Sequence, residues 1–282
     1  MVEKERTQSG KVEDTGIIFI TNRECPYHCL MCDLWKNTTD EPLPPGAISD
    51  QIEWALAKMP GVKHLKLYNS GSFFDERAIP ESEYDRIASL VSSVQTVIVE
   101  CHPLLVNEKC LRFRDMLKPD LHIALGLETV NREVLEKLNK KMTPEDFACA
   151  INYLTANEIQ TRAFILLRPP FMSEEEGIYW AERSIDFALD AGVECCTVIP
   201  VRGGNGAMEE LMKEGHFSAP GITSLEKVLE YGIGLKRGRV FGDTWDLGLF
   251  SRCEKCIDKR IARITEMNLK QTIVSSVICG CI

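Results

Sequence analysis

Six apolar runs separated by amphipathic stretches are the strongest constraint on how this chain folds. Residues 16–21, 62–69, 96–101, 122–128, 160–167 and 195–201 have the length and composition of buried strands. Between them, apolar residues recur every three or four positions over 51–58, 81–92, 107–117, 131–138, 143–157 and 173–190. Ser49, Asn107, Asn131, Thr143 and Ser173 stand where helix caps belong. Strand–helix units spaced roughly 30 to 45 residues apart predict a parallel sheet with right-handed crossovers. A partial (β/α)6 TIM-like barrel suits six such units better than a doubly wound sheet. After about Arg202 the rhythm fails, and a glycine-rich loop at 203–206 leads into a mostly helical tail. The expected organisation is an N-terminal extension (1–15), an α/β core (16–210) and a cysteine-containing C-terminal extension (211–282).

At 282 residues, 44% hydrophobic and 27% charged, the chain can bury one large core. No apolar run reaches the roughly 18 to 20 residues of a membrane span, and residues 1–15 have no apolar signal segment. A cytoplasmic protein with no membrane partner is expected. The formal charge of -9 argues against a broad nucleic-acid footprint, which needs Lys and Arg clusters. Of twelve cysteines, seven fall into two tight clusters. Without an export signal, clustered thiols point to metal rather than disulfides.

Just past the first strand, Cys25, Cys29 and Cys32 are spaced C-x3-C-x2-C. Three thiolates so spaced can hold one face of a 4Fe–4S cube and leave the fourth iron open to a ligand. The alternatives are a zinc site that includes His28 and a set of plain buried thiols. In the tail, Cys253 and Cys256 form C-x2-C and Cys279 and Cys281 form C-x-C, on either side of a predicted helix at 257–268. Two such pairs can chelate one zinc or a fully ligated second 4Fe–4S cluster, and neither leaves a position for a reactant. Cys101, Cys110, Cys149, Cys195 and Cys196 lie inside apolar elements and read as buried thiols.

The C-terminal ends of parallel strands share one edge of a barrel, so a site there collects polar residues. Asn69, Ser70, Gly71 and Ser72 end the second strand, Glu100 ends the third and Glu128 the fourth. A carboxylate inside an apolar run needs a partner. Arg168 ends the fifth strand, Ile199 and Pro200 lie at the end of the sixth, and Arg202 follows. The two arginines suit bidentate recognition of an anionic substrate or, alternatively, structural ion pairs.

The cysteine spacing and its place after the first strand of a βα series resemble the radical S-adenosylmethionine (SAM) superfamily. The stretches 69–75, 126–129 and 166–171, with the cysteine loop, resemble the group around the Elongator catalytic subunit, and most closely the radical SAM subunit of archaeosine synthase. The resemblance implies that SAM binds the open iron and that the reduced cluster passes in one electron. Cleavage of the S–C5′ bond then gives methionine and a 5′-deoxyadenosyl radical. It also implies SAM-binding roles by position. Asn69, Ser70, Gly71 and Ser72 replace a Gly-Gly-Glu stretch that receives the SAM amino group, and Glu100 and Glu128 face the ribose. Lys140 stands where an arginine meets the SAM carboxylate, and Met31, Ile199 and Pro200 contact the adenine.

Three functions follow as expectations. The first is a radical SAM enzyme acting on a small-molecule substrate, fed by a one-electron donor such as flavodoxin or ferredoxin. The second, less favoured by the acidic charge, is a tRNA-modifying enzyme, as the archaeosine synthase resemblance implies. The third is a non-catalytic iron–sulfur or zinc scaffold.

Overall fold

A computed structural model describes residues 1–251 and 253–281. In chain order its elements are β1 (Val2–Arg6), β2 (Val12–Ile20), α1 (Ala47–Leu56), β3 (His64–Asn69), α2 (Tyr84–Leu90), β4 (Thr96–Cys101), α3 (Glu108–Met116) and β5 (Asp120–Glu128). They continue with α4 (Arg132–Lys137), α5 (Pro144–Ala156), β6 (Gln160–Leu167), α6 (Glu174–Asp190), β7 (Cys195–Pro200), α7 (Ala207–Lys213), α8 (Ile222–Leu235), β8 (Arg239–Gly242) and α9 (Ile257–Lys270). The sheet order is β1 through β8 without interruption. A doubly wound sheet reverses its strand order partway, whereas a βα barrel adds each strand beyond the last. The connectivity is therefore that of a partial barrel, as the six-unit alternation predicts. No described helix is long and apolar enough to cross a membrane.

The chain divides into two compact units. One comprises Met1–His28, Cys32–Gly126 and Glu145–Arg162, and the other Cys29–Met31, Leu127–Pro144 and the chain from Ala163 on. In the first, β2, β3, β4 and β5 pair in parallel, with Ile20 beside Asn69, Leu67 beside Val99 and Cys101 beside Leu125. Ile18, Leu65, Leu67, Val97, Val99, Ile123 and Leu125 share one face of these strands and are all nearly without exposure. Four aromatic rings, Phe73, Phe74, Tyr84 and Phe113, pack together at centroid distances of 4.8 to 6.4 Å. Residues 1–15 are not a loose extension: β1 pairs antiparallel with β2 from Val2–Gly16 to Arg6–Val12, which starts β2 four residues before the expected Gly16.

This hairpin brings acid to buried cations. Lys66 of β3 and Arg162 of β6 are each about 5% exposed, and both bond to the carboxylate of Glu5. Lys66 also donates to Glu3. Burial would raise the Glu5 carboxyl, but attraction and hydrogen bonds from Arg162 and Lys66 outweigh it and hold the group well below the usual carboxylate range.

Helix ends follow the sequence in three cases. Asn107 and Asn131 accept from Lys109 N–H at 2.8 Å and Val134 N–H at 3.1 Å, and Ser173 forms a capping box with Glu176. Ser49 is different. It lies inside α1, whose N-terminal amides of Gly46 and Ser49 both donate to the remote carboxylate of Glu83. Cys149 also departs from expectation and is exposed. The buried stripe of α5 runs through Phe147, Ala150, Ile151 and Leu154, and position 149 falls off it.

The second unit adds a strand the rhythm did not predict. β8 pairs in parallel with β7 from Cys195–Arg239 to Val198–Gly242, so the chain beyond Arg202 is in part a further βα step rather than only an appendage. Four residues ending in glycine are too short to register as an apolar run. The outer edge of β8 is covered by side chains. Asn268 of α9 bonds both polar groups of Gly242 at 2.9 and 2.8 Å, and Gln271 does the same for Val240 at 2.8 and 2.9 Å.

Glu5→Gln removes the anion that two buried cations share, and breaking such a network costs roughly 3 to 5 kcal/mol. Because the folded carboxyl titrates below its unfolded value, the contribution is complete at neutral pH and is lost as pH falls below the ordinary carboxylate range. Denaturant unfolding at pH 7 and pH 4 should therefore show a smaller gap between variant and parent at the lower pH. Equal stability at pH 7 would exclude this role for Glu5.

Candidate active site

In the first unit the end of β3 meets the start of the cysteine loop. Asn22, fully buried just past β2, accepts from Ser70 N–H at 3.2 Å, while its own carbonyl accepts from Thr39 N–H at 3.0 Å. Gly71 follows with φ of 153°. A Cβ there would lie 3.3 Å from Cβ and 3.8 Å from Sγ of Cys25, so only glycine lets this turn approach the cysteine so closely. Ser72 is committed inward, its hydroxyl accepting from His102 N–H at 3.3 Å. The Glu100 carboxylate accepts from Asn69 N–H at 3.2 Å and is thus turned to the end of β3. The expected group of Asn69, Ser70, Gly71, Ser72 and Glu100 is brought together at the end of β3, with Gly71 against Cys25.

The Asn69 side chain is the exception within it. The residue is 3% exposed, yet neither its amide nitrogen nor its amide oxygen has a hydrogen-bond partner among the described residues. Buried polar groups are nearly always satisfied, so an amide orphaned at both atoms marks a place for something outside the chain.

Two contacts in this unit had no signal in the periodicity. Tyr27 of the cysteine loop stacks on His102, with centroids 3.8 Å apart and planes 9° from parallel. His28 takes a positive φ of 48° and its Nδ1 lies 3.2 Å from Glu24, with a largely exposed side chain. Cys25 and Cys32 are half-buried.

In the second unit, residues 29–31 are held by main-chain and side-chain bonds. Leu30 N–H donates to the Leu138 carbonyl at 2.9 Å, and the Leu30 carbonyl accepts from Asn205 Nδ2 at 2.7 Å. Asn205 also accepts from Met208 N–H at 2.9 Å, which fixes its amide. The only sequence hint of this residue was its place in a glycine-rich loop. Met31 and Ile199 pack on a cluster of Val134, Leu138, Leu166, Met172 and Val201. Pro200 is buried and Cys29 half-buried.

Glu128 and Lys140 pair with each other. Nζ of Lys140 donates to Oε1 of Glu128 at 2.6 Å, with both residues under 10% exposed. Glu128 closes β5 at φ 63°, a left-handed conformation costly for a residue with a side chain and typical of functional sites. Both expected arginines are found in ion pairs. Arg168 binds the Glu174 carboxylate and donates to the Ala219 carbonyl at 3.2 Å. Arg202 lies 3.3 Å from Asp243 and 3.1 Å from Asp246, the latter pair largely exposed. Gly177 explains part of the Arg168 geometry, because a Cβ at 177 would sit 2.7 Å from Cβ of Arg168. The four tail cysteines also come together.

Residues 19–179, more than half of the chain, match the Radical SAM superfamily, and the chain belongs to it. It is therefore an enzyme of that superfamily, and membership implies a 4Fe–4S cluster and SAM. An uncharacterized protein of Methanocaldococcus jannaschii is 28% identical in an alignment that covers 90% of this chain and 74% of that protein. The archaeosine synthase subunit beta of Methanosarcina acetivorans is 27% identical over 71% of this chain and 60% of its own. That of Thermococcus kodakarensis is 27% identical over 56% of this chain and 51% of its own, so the chain spans only half to three fifths of these two relatives. Among solved structures, archaeal Elp3 from Methanocaldococcus infernus superposes with a TM-score of 0.59 at 14% identity, over 90% of this chain and 64% of that one. Streptococcus suis SuiB gives 0.57 at 13% identity, over 81% and 48%. These likenesses show a shared fold.

The Glu128–Lys140 pair generates a test that separates packing from binding. Glu128→Gln alone breaks this buried ion pair and should cost roughly 3 to 5 kcal/mol in denaturant unfolding. Adding Lys140→Met should recover most of that loss, because neither charge then remains buried. If the double variant also regains full SAM affinity by calorimetry, the pair is purely structural.

Proposed function

We propose that this chain reductively cleaves SAM at a 4Fe–4S cluster held by Cys25, Cys29 and Cys32, and directs the resulting radical at a small-molecule substrate. The observation that carries the reading is the Asn69 amide, buried and without a partner at both polar atoms beside a glycine packed on Cys25. Three half-buried thiols, a turn that any Cβ would crowd and an unsatisfied amide are a donor set that fits a thiolate-held cluster with SAM next to it. When bound, the cluster supplies one electron to SAM, and the S–C5′ bond breaks to give methionine and a 5′-deoxyadenosyl radical.

The protein's own part is to bind, orient and exclude water. Asn69 offers a carbonyl oxygen to the SAM amino group and an N–H to its carboxylate. Ser70, Gly71 and Ser72 shape the turn, and Glu100 and Glu128 accept from the ribose hydroxyls. Lys140 neutralises Glu128 and faces the SAM carboxylate. Met31, Ile199 and Pro200 supply apolar contact for adenine. Arg168 and Arg202 stay assigned to an anionic substrate, with the ion pairs to Glu174 and to Asp243 and Asp246 as their resting state. The electron comes from a donor of the flavodoxin or ferredoxin class. The two archaeosine synthase subunit beta relatives favour a second reading, in which the substrate is carried on tRNA.

Anaerobically reconstituted protein with a chemical reductant should form 5′-deoxyadenosine, and replacing Cys25, Cys29 and Cys32 by Ala should abolish it. Persistence of product in that variant sinks the assignment. Addition of tRNA that accelerates cleavage selects the second reading, and no response leaves the first.

Asn69→Leu gives a sharper outcome. Removing an orphaned amide should raise stability by about 1 kcal/mol, since a buried unsatisfied group costs roughly 1 to 3 kcal/mol. The same change should weaken SAM binding about tenfold with cluster content unchanged. An amide that served packing alone would give the reverse: lower stability and unaltered affinity.

A further inference from the structure

The sulfur atoms of Cys253, Cys256, Cys279 and Cys281 all lie within 4.8 Å of one another. Cys253 and Cys279 are 3.8 Å apart, and Cys256 and Cys281 are 3.6 Å apart. That spacing separates the two metal chemistries the sequence leaves open. A tetrahedral ion with Zn–S bonds of about 2.3 Å holds its four thiolates roughly 3.8 Å from each other. A 4Fe–4S cube, with each thiolate on its own iron at a separate corner, spreads them to roughly 6 Å. The observed group has the dimensions of a single ion and is too tight for a cube.

What surrounds the thiols also has the character of a built site. Cys256 is buried at the N-terminus of α9, and Arg260 Nε, one turn on, donates to its sulfur at 3.4 Å. Arg260 and Arg263 are 3% and 4% exposed, and both pair with Glu226 of α8. Arg263 also pairs with Glu230 of α8, and both arginines donate to the extended segment between α9 and the last two cysteines. Arg260 reaches the Val277 carbonyl at 3.5 Å, and Arg263 reaches those of Val274 at 2.6 Å and Ser275 at 2.9 Å. Cys253 N–H is held by Ser251 Oγ at 3.2 Å. The two cysteine pairs are thus brought together by side chains that are themselves buried and fixed.

We propose that Cys253, Cys256, Cys279 and Cys281 bind one tetrahedral zinc ion. Arg260 is a positioning residue for it, donating to the Cys256 sulfur and offsetting part of the double negative charge that four thiolates leave around a divalent cation. Binding releases thiol protons and closes residues 271–281 onto α8 and α9. Zinc has no redox chemistry, so this centre is a fastening and carries no electron toward the cysteine loop.

The test uses the full chain with its loop cysteines intact. Elemental analysis of anaerobically purified, reconstituted protein should give about one zinc and about four irons per chain. Cobalt exchanged into the zinc-depleted protein should show the visible absorption of tetrahedral thiolate coordination. Cys281→Ser, a change at an exposed ligand, should lose the zinc and keep the irons. Arg260→Met should weaken zinc 10- to 100-fold in a chelator competition, and Arg260→Lys should recover part of that, if the arginine acts on the thiolate. About eight irons per chain with no zinc would place a second cluster in the tail and overturn the proposal. A tail that takes up neither metal, or zinc that survives Cys281→Ser unaltered, would overturn it equally.

Discussion

The register of β2, β3 and β4 decides where the polar groups of the first unit can act. With Ile20 beside Asn69 and Leu67 beside Val99, all three strands end within about one residue of each other. Each must then turn at once, and the turning residues are those that matter: Asn22 after β2, Ser70 and Gly71 after β3, and His102 after β4. Their side chains and amides bond to one another rather than to water, which fixes the base of the cysteine loop before any ligand arrives. A shift by one residue would turn the buried Leu65 and Leu67 out of the core and move Asn69 away from Glu100.

The buried charges divide by purpose. Glu5 with Lys66 and Arg162, and Glu226 with Arg260 and Arg263, are networks in which each ion meets an opposite charge, and each joins elements far apart in sequence. Such groups contribute most through the cost of removing one member. Glu128 and Lys140 resemble them in burial, but Glu128 stands at the end of β5 in a left-handed conformation. Strain held at such a point is characteristic of a site that must present its atoms in one orientation.

Most of the architecture was legible in the sequence because periodicity is a local property. The bounds of β4 and β6 match their apolar runs residue for residue, and the caps at Asn107, Asn131 and Ser173 follow from chemistry within three or four positions. Contacts between distant positions were not legible. Glu83 caps α1 across 34 to 37 residues, Asn205 reaches Leu30 across 175, and β1 gains its strand character only by pairing with β2. The site showed the same division. The cysteine spacing and the polar strand ends could be read directly, whereas the pairing of Glu128 with Lys140 and of Arg168 with Glu174 depends on turns whose direction no local pattern encodes.

Partnership inside the chain is therefore the more discriminating guide to function than polarity or burial. Ser72, Asn22 and Asn205 are polar residues near the cysteine loop, but each has its bonding capacity used by the protein, and each accordingly shapes the backbone. Among the described residues several buried side chains lack a partner at one atom, including Tyr84, Thr161 and Thr197, a deficit that slight motion or one water can cover. Asn69 lacks partners at both its donor and its acceptor. An amide in that condition costs stability in the free protein and recovers it only when a ligand presents an acceptor and a donor together. The amino and carboxylate groups of an amino-acid moiety do so, which is why the proposed SAM site rests on this single residue rather than on the more conspicuous charges around it.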